Sequence, residues 1–225
     1  MLAIIKTNRT YFIGIGLFII IGALILTRIE KGDVVLFFSE HRSAFGDPFF
    51  RYFTKMGELF VYLLATIALL FYRYRYAFLV PLTGCITLGL SLATKYYFQH
   101  PRPVLFFKEM GIFDQVNLVE GVALLNRLSF PSGHTMSAFA FYGLLALILP
   151  KKRLMALLLV IVATLVALSR VYLVQHFFED IYAGAMLGTL IALLVYYAQS
   201  FLSHDSDRWY NQSLRKQKAE KPKLA

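Results

Sequence analysis

The stretch LMALLLVIVATLVALSRVYLVQ, Leu154–Gln175, is apolar from Leu154 to Leu168 except for Thr164, and only then admits Ser169 and Arg170. A transmembrane helix needs about 20 mostly apolar residues, so this segment reads as one span. The arginine at its far end is a different matter. An ionisable side chain at bilayer depth costs a few kcal/mol, so its presence there points to function rather than packing. His176 and Asp180 follow within ten residues of Arg170 and share that end.

Five further stretches have the same character: Tyr11–Thr27, Met56–Tyr72, Tyr76–Phe98, Gly133–Pro150 and Ile181–Leu202. Met56–Tyr72 has the shortest apolar core, with Glu58 near one end. A composition of 58% hydrophobic and 16% charged residues suits a polytopic membrane protein. The expected fold class is therefore all-α, a bundle of six transmembrane helices. Residues 1–204 form its membrane domain, and 205–225 a basic, cytoplasmic, disordered tail. Arg28, Glu30 and Lys31 follow the first stretch where a signal peptide would show a small-residue cleavage pattern, so it reads as a retained helix. The single cysteine, Cys85, lies mid-segment and has no internal disulfide partner.

With the N-terminus inside, Lys6, Arg9, Arg73, Arg75, Lys151, Lys152, Arg153 and the six basic tail residues share one side with only Asp205, Asp207 and Glu220. The whole excess of +10 then faces one compartment, as the positive-inside rule requires of cytoplasmic loops. This distribution argues against nucleic acid as the partner and for anionic membrane lipid. It places both termini in the cytoplasm and the protein in the plasma (inner) membrane. The long connections, Arg28–Lys55 and Gln99–Phe130, fall outside. The first strings Val34 through Phe53 among charges and suits one or two helices lying in the membrane interface. In the last stretch, Gly184 and Gly188 permit close helix approach.

Three polar patches fall on that outer side. In the first, prolines 101 and 103 hold Arg102 extended beyond the helix that Lys95 ends, so a point charge and a planar fork face one anion. In the second, Pro131 and Ser132 precede Gly133 and His134. Ser132 reads as an N-cap, and the helix N-terminus it opens offers free N–H groups to an anion. His134, in the first turn, is placed to deliver a proton. In the third, His176 and Asp180 lie four apart, on one face if the segment is helical, so the carboxylate orients the imidazole. Arg170 is six residues from His176 and belongs across a break from it.

These patches spell K-x6-RP, PSGH and SR-x5-H-x3-D, met at Lys95, Arg102, Pro103, Pro131, Ser132, Gly133, His134, Ser169, Arg170, His176 and Asp180. On them the chain resembles the membrane branch of the type 2 phosphatidic acid phosphatase family, which shares its site with vanadium haloperoxidases and bacterial acid phosphatases. The resemblance implies that His176 is a nucleophile forming a phosphohistidine, that Asp180 orients it, and that His134 is the general acid. It makes Lys95, Arg102, Ser132, Gly133 and Arg170 the phosphate cradle. It also implies metal independence, with no cofactor.

Fixed cations and helix N–H groups are what phosphoryl transfer asks for. The expected activity is hydrolysis of a lipid phosphomonoester or diphosphate: undecaprenyl diphosphate, phosphatidate, phosphatidylglycerophosphate or a lipid A phosphate. Transfer of the phosphoryl group to an alcohol, or anion transport without chemistry, would use the same residues. Specificity contacts are expected in Gln99–Phe130, from Phe106, Phe107, Lys108, Glu109, Phe113 and Asn117. Nothing in the sequence specifies an oligomeric state.

Overall fold

The computed structural model describes residues 2–149, 153–202, 205 and 207–215. Lys151, Lys152 and tail residues 216–225, which contribute to the inner charge, lie outside them. The helices are α1 (Leu2–Thr7), α2 (Arg9–Leu26), α3 (Asp33–Glu40), α4 (Gly46–Phe53), α5 (Leu59–Leu70), α6 (Tyr74–Phe98), α7 (Pro103–Glu109), α8 (Gly133–Ile148), α9 (Arg153–Tyr172) and α10 (Phe178–Gln199). Among the described residues no strand forms; one isolated bridge pairs Pro101 with Arg127.

Local chemistry sets the helix ends near the polar patches. α6 runs unbroken through Pro81 and stops at Gln99, whose φ of 50° is left-handed. Pro101 cannot donate to a continuing helix, and Pro103 restarts the chain as the first residue of α7, where its missing N–H is no loss. α8 opens at Ser132, whose hydroxyl accepts from the Thr135 N–H, as expected of an N-cap.

α8 is the centre of the bundle, with twelve of its sixteen residues buried and α6, α9 and α10 packed around it. The close approach comes from α10. A Cβ at Gly184 would lie 2.7 Å from the Ser132 carbonyl oxygen, and one at Gly188 would overlap the Met136 carbonyl. The small-residue pair therefore seats α10 on the first turns of α8, next to the polar patches. Gly188→Val should lower the thermal unfolding midpoint in detergent, because overpacking costs about 1–3 kcal/mol or more. Gly16→Ala, where an added methyl meets nothing within 4 Å, should leave that midpoint unchanged or raise it.

The outer faces are apolar. Ile13, Leu17, Ile20, Ile21 and Leu24 on α2, and Leu63, Leu64 and Ile67 on α5, are each more than half exposed. Such faces suit hydrocarbon rather than water. Each of the six apolar stretches is largely helical, but six full spans are not what the lengths give. α2, α6, α9 and α10 are long and apolar enough to cross a membrane, and a fifth span results if the segment Gly46–Gly57 and α5, bent by 53°, count as one. α8 extends only about 24 Å, short of a hydrocarbon core of about 30 Å. Its burial by neighbours, rather than by lipid, is what lets it be short.

The first long connection folds back as α3, α4 and a 3₁₀ turn, Thr54–Gly57. One or two helices lying in the membrane interface were expected there, and Phe45 and Tyr52 are outward. Phe50 and Phe38 instead pack on Tyr172 at the end of α9, with ring centroids 4.4 and 5.8 Å away. The connection is thus a cover over one end of α9. At the other end of the bundle, Gln212 accepts from the Tyr74 N–H at 2.9 Å and the Leu214 N–H donates to Leu70 at 2.9 Å. The first part of the basic tail is docked there.

Candidate active site

The three polar patches meet at one end of α8. After Tyr172 the chain turns back on itself. Val174 is left-handed (φ 57°), and the N–H groups of Gln175 and His176 both donate to the Arg170 carbonyl, at 2.9 and 3.2 Å. His176 therefore precedes α10 rather than riding on it, and Asp180 sits in the first turn. Their four-residue spacing is closed by a helix N-terminal turn, not along a helix face as the spacing alone suggests. The break expected between Arg170 and His176 is this turn, with Arg170 still on α9.

Asp180 Oδ2 lies 3.3 Å from His176 Nδ1 and accepts from the Phe177 N–H at 2.9 Å and the Ser129 hydroxyl at 2.5 Å. His176 and Asp180 are both almost wholly buried. The carboxylate selects the tautomer with the proton on Nδ1 and leaves the Nε2 lone pair free. Burial, reinforced by the charges of Arg102, Arg170 and Lys95, holds the His176 imidazole well below the ordinary histidine range. The ring is neutral, as a nitrogen nucleophile must be.

The cations come from three elements. Arg102 is extended and 6% exposed; its Nε donates to the Arg127 carbonyl at 3.0 Å, and its Nη1 to the Gln175 carbonyl and side-chain oxygens at 3.1 and 3.2 Å. These bonds tie the Gln99–Phe130 connection to the turn that carries His176. Burial pulls the Arg102 guanidinium below its ordinary value, with Asp180 opposing. Arg170 Nη1 donates to Thr54 Oγ1 at 2.9 Å, while its Nε is buried with no acceptor. An orphaned buried donor costs about 1–3 kcal/mol, a cost an anion placed there would relieve. Lys95 reaches the start of α8: a Cβ on Gly133 would lie 3.7 Å from its Nζ.

Ser132 uses its oxygen to accept from the Thr135 N–H (3.4 Å) and hydroxyl (2.9 Å), and its N–H donates to the Asp180 carbonyl at 3.0 Å. The hydroxyl proton remains available beside the first N–H groups of α8, which have no partner within the helix. His134 Nε2 lies 3.6 Å from Glu58 Oε1 and feels the charges of Arg170, His176, Lys95 and Arg102. All eight residues singled out from the sequence converge. Among the described residues no three His, Cys, Asp or Glu side chains gather as a metal site.

Four neighbours were not legible in the sequence as parts of this site: Ser129 on Asp180, Thr54 on Arg170, Gln175 on Arg102 and Glu58 beside His134. Ser129 lies only three residues before Ser132, and that proximity was the one available signal. The other three come from the covering connection or the turn, whose paths no periodicity reveals. Among the expected specificity contacts, Phe107 is buried, Phe106 packs on Phe177 at 5.2 Å, and the Asn117 N–H donates to Ser39 Oγ at 2.6 Å. These contacts help hold the connection together.

Long apolar helices, lipid-suited outer faces and a buried polar cluster at one end define a multi-pass helical membrane protein. The PAP2 superfamily pattern matches residues 74–203, and the chain belongs to that superfamily. It is 31% identical over 154 residues to Lipid phosphate phosphatase 2 of Arabidopsis thaliana, covering 59% of this chain and 52% of that one. With Phosphatidylglycerophosphatase B of Bacillus subtilis (strain 168) it shares 40% identity over 75 residues, 30% of this chain and 37% of the other. The chain thus spans about half or less of these curated relatives.

Among solved structures, Aquifex aeolicus LpxE superposes with a TM-score of 0.63 at 25% identity, covering 73% of this chain and 93% of that one. The first transmembrane PAP2 type phosphatidylglycerolphosphate phosphatase from Bacillus subtilis gives 0.63 at 23% identity, with 85% and 97% covered, and shares the fold.

Proposed function

We propose that the protein is an integral-membrane lipid phosphatase that cleaves a lipid phosphomonoester or diphosphate through a phosphohistidine at His176. The reading rests on one observation above the rest: a buried, neutral histidine, fixed by Asp180, set among three cations of which one keeps an orphaned donor. His176 Nε2 attacks phosphorus as the bond to the leaving oxygen breaks, and His134 gives that oxygen a proton. Water then attacks the phosphohistidine, returning its proton to His134 and freeing His176. Lys95, Arg102, Arg170, Ser132 and the Gly133 N–H take up the charge that spreads over the equatorial oxygens.

On this reading no metal takes part, since three fixed cations already do its electrostatic work. Six membrane passages, counting α8 and the bent α4–α5 segment, put the site on the extracytoplasmic side of the plasma membrane and both termini in the cytoplasm. Residues 1–204 form the phosphatase domain and 205–225 the basic cytoplasmic segment. Phosphatidylglycerophosphate is the substrate to try first, given the name of the Bacillus subtilis relative; phosphatidate, undecaprenyl diphosphate and lipid A phosphate complete the set.

Purified protein in detergent with EDTA present should release inorganic phosphate from at least one of these four classes. A requirement for added divalent metal, or flux of an anion into vesicles without phosphate release, would overturn the reading. A phosphorylated alcohol formed in place of phosphate would make the enzyme a transferase on the same site.

A further inference from the structure

We infer that Glu58 is a positioning residue for the reaction, the counter-charge that allows His134 to hold the proton it delivers. This rests on the reading of His134 as the general acid. Burial of its ring comes first among the influences on His134, joined by three cations, Arg170, Lys95 and Arg102, and by the His176 imidazole. All three cations oppose a positive charge on its ring. The carboxylate closest to His134 among the described ion pairs is that of Glu58, with Oε1 3.6 Å from Nε2, and Glu58 also faces Arg170. A general acid needs a populated protonated form near the working pH, and an adjacent carboxylate is what raises that population.

Glu58 is not a chance surface acid, because the backbone that carries it is fastened to α8. It is the extended residue between the 3₁₀ turn and α5, at the 53° bend. The Gly57 carbonyl accepts from Ser137 Oγ at 2.8 Å, the Met56 carbonyl from the Tyr142 hydroxyl at 2.9 Å, and Tyr62, one turn into α5, donates to the Ser137 carbonyl at 2.9 Å. A Cβ at Gly57 would lie 3.0 Å from the His134 carbonyl and 2.9 Å from Val166. Glycine is therefore what lets the bend press against the first turn of α8. Thr54, at the head of the same turn, holds Arg170. One short segment thus supports the proposed proton donor and one of the phosphate ligands.

The test is the pH profile of Glu58→Gln against the native enzyme, on a lipid or alkyl phosphate and on nitrophenyl phosphate, whose leaving group needs no proton. Glu58 is nearly half exposed, so the variant should fold; Glu58→Asp serves as the conservative check. On the alkyl phosphate, kcat should fall about tenfold at neutral pH, with the alkaline limb moved roughly one unit to lower pH and KM little changed. Nitrophenyl phosphate hydrolysis should be nearly unaffected, and Glu58→Asp should restore much of the loss. Superimposable pH profiles, or an equal loss on both substrates at every pH, would overturn the inference. If the native enzyme itself released no phosphate, the failure would lie with the phosphatase reading instead.

Discussion

His176→Ala should abolish phosphate release, lowering kcat by at least about 10³-fold on any lipid phosphate that the native enzyme hydrolyses. The residual rate would come only from binding and charge stabilisation by the cradle, which cannot replace a missing nucleophile. The substitution removes a buried ring but need not unfold the site. Asp180 keeps the Phe177 N–H and the Ser129 hydroxyl as donors, so no bare carboxylate is left behind. His176→Asn, closer in shape and polarity, controls for the cavity. Acid quenching would destroy a phosphohistidine, so the intermediate should be trapped by alkaline quench of native enzyme turning over labelled lipid phosphate and be absent from both variants. Activity within tenfold of native in either variant would exclude covalent catalysis at this position.

The second largest effect is expected of Asp180→Asn, a loss of about 10²–10⁴-fold in kcat with KM nearly unchanged, because the amide keeps the shape but not the tautomer preference or the charge. Ser129→Ala grades this prediction. It removes the donor nearest Asp180 Oδ2 and leaves the carboxylate, so its loss should be smaller, about tenfold, on the same kcat axis. If Asp180 served only to tie the turn to α10, both variants would lower the unfolding midpoint while leaving the rate per folded molecule intact. The acid limb of kcat/KM carries related information. With His176 held neutral by burial and by Arg102, Arg170 and Lys95, protonation that would quench it occurs only well below about pH 6.5. Activity should therefore persist into mildly acidic solution and fall only below that range. An acid limb at or above pH 6.5 would mean that His176 titrates as an ordinary histidine.

Much of the site was legible because its members are costly where they stand. Lys95, Arg102, Arg170, His134, His176 and Asp180 are conspicuous beside apolar stretches, and the prolines and Ser132 announce the turns that carry them. Their supporting contacts were not. Glu58 looked like a blemish in a short apolar stretch, yet it sits 3.6 Å from His134. Thr54 and Ser129 are ordinary polar residues whose value depends on a path through space. The count of spans is not fixed by hydropathy for a related reason: α8 is shorter than the four long apolar helices and is buried by its neighbours, and hydropathy cannot distinguish such a helix from one buried by lipid.

The amino-acid sequence alone determined the helical, membrane-suited class of the chain and the set of ionisable residues proposed to carry its chemistry, because apolar length and isolated charges are local properties priced by the bilayer. The tertiary structure alone decided that α8 is central and short, that Asp180 meets His176 through a helix-start turn, and that the Thr54–Glu58 bend stands against His134 and Arg170. Those outcomes depend on which backbone can approach which, through Gly57, Gly184 and Gly188, and close packing between distant segments leaves no periodic trace along the chain.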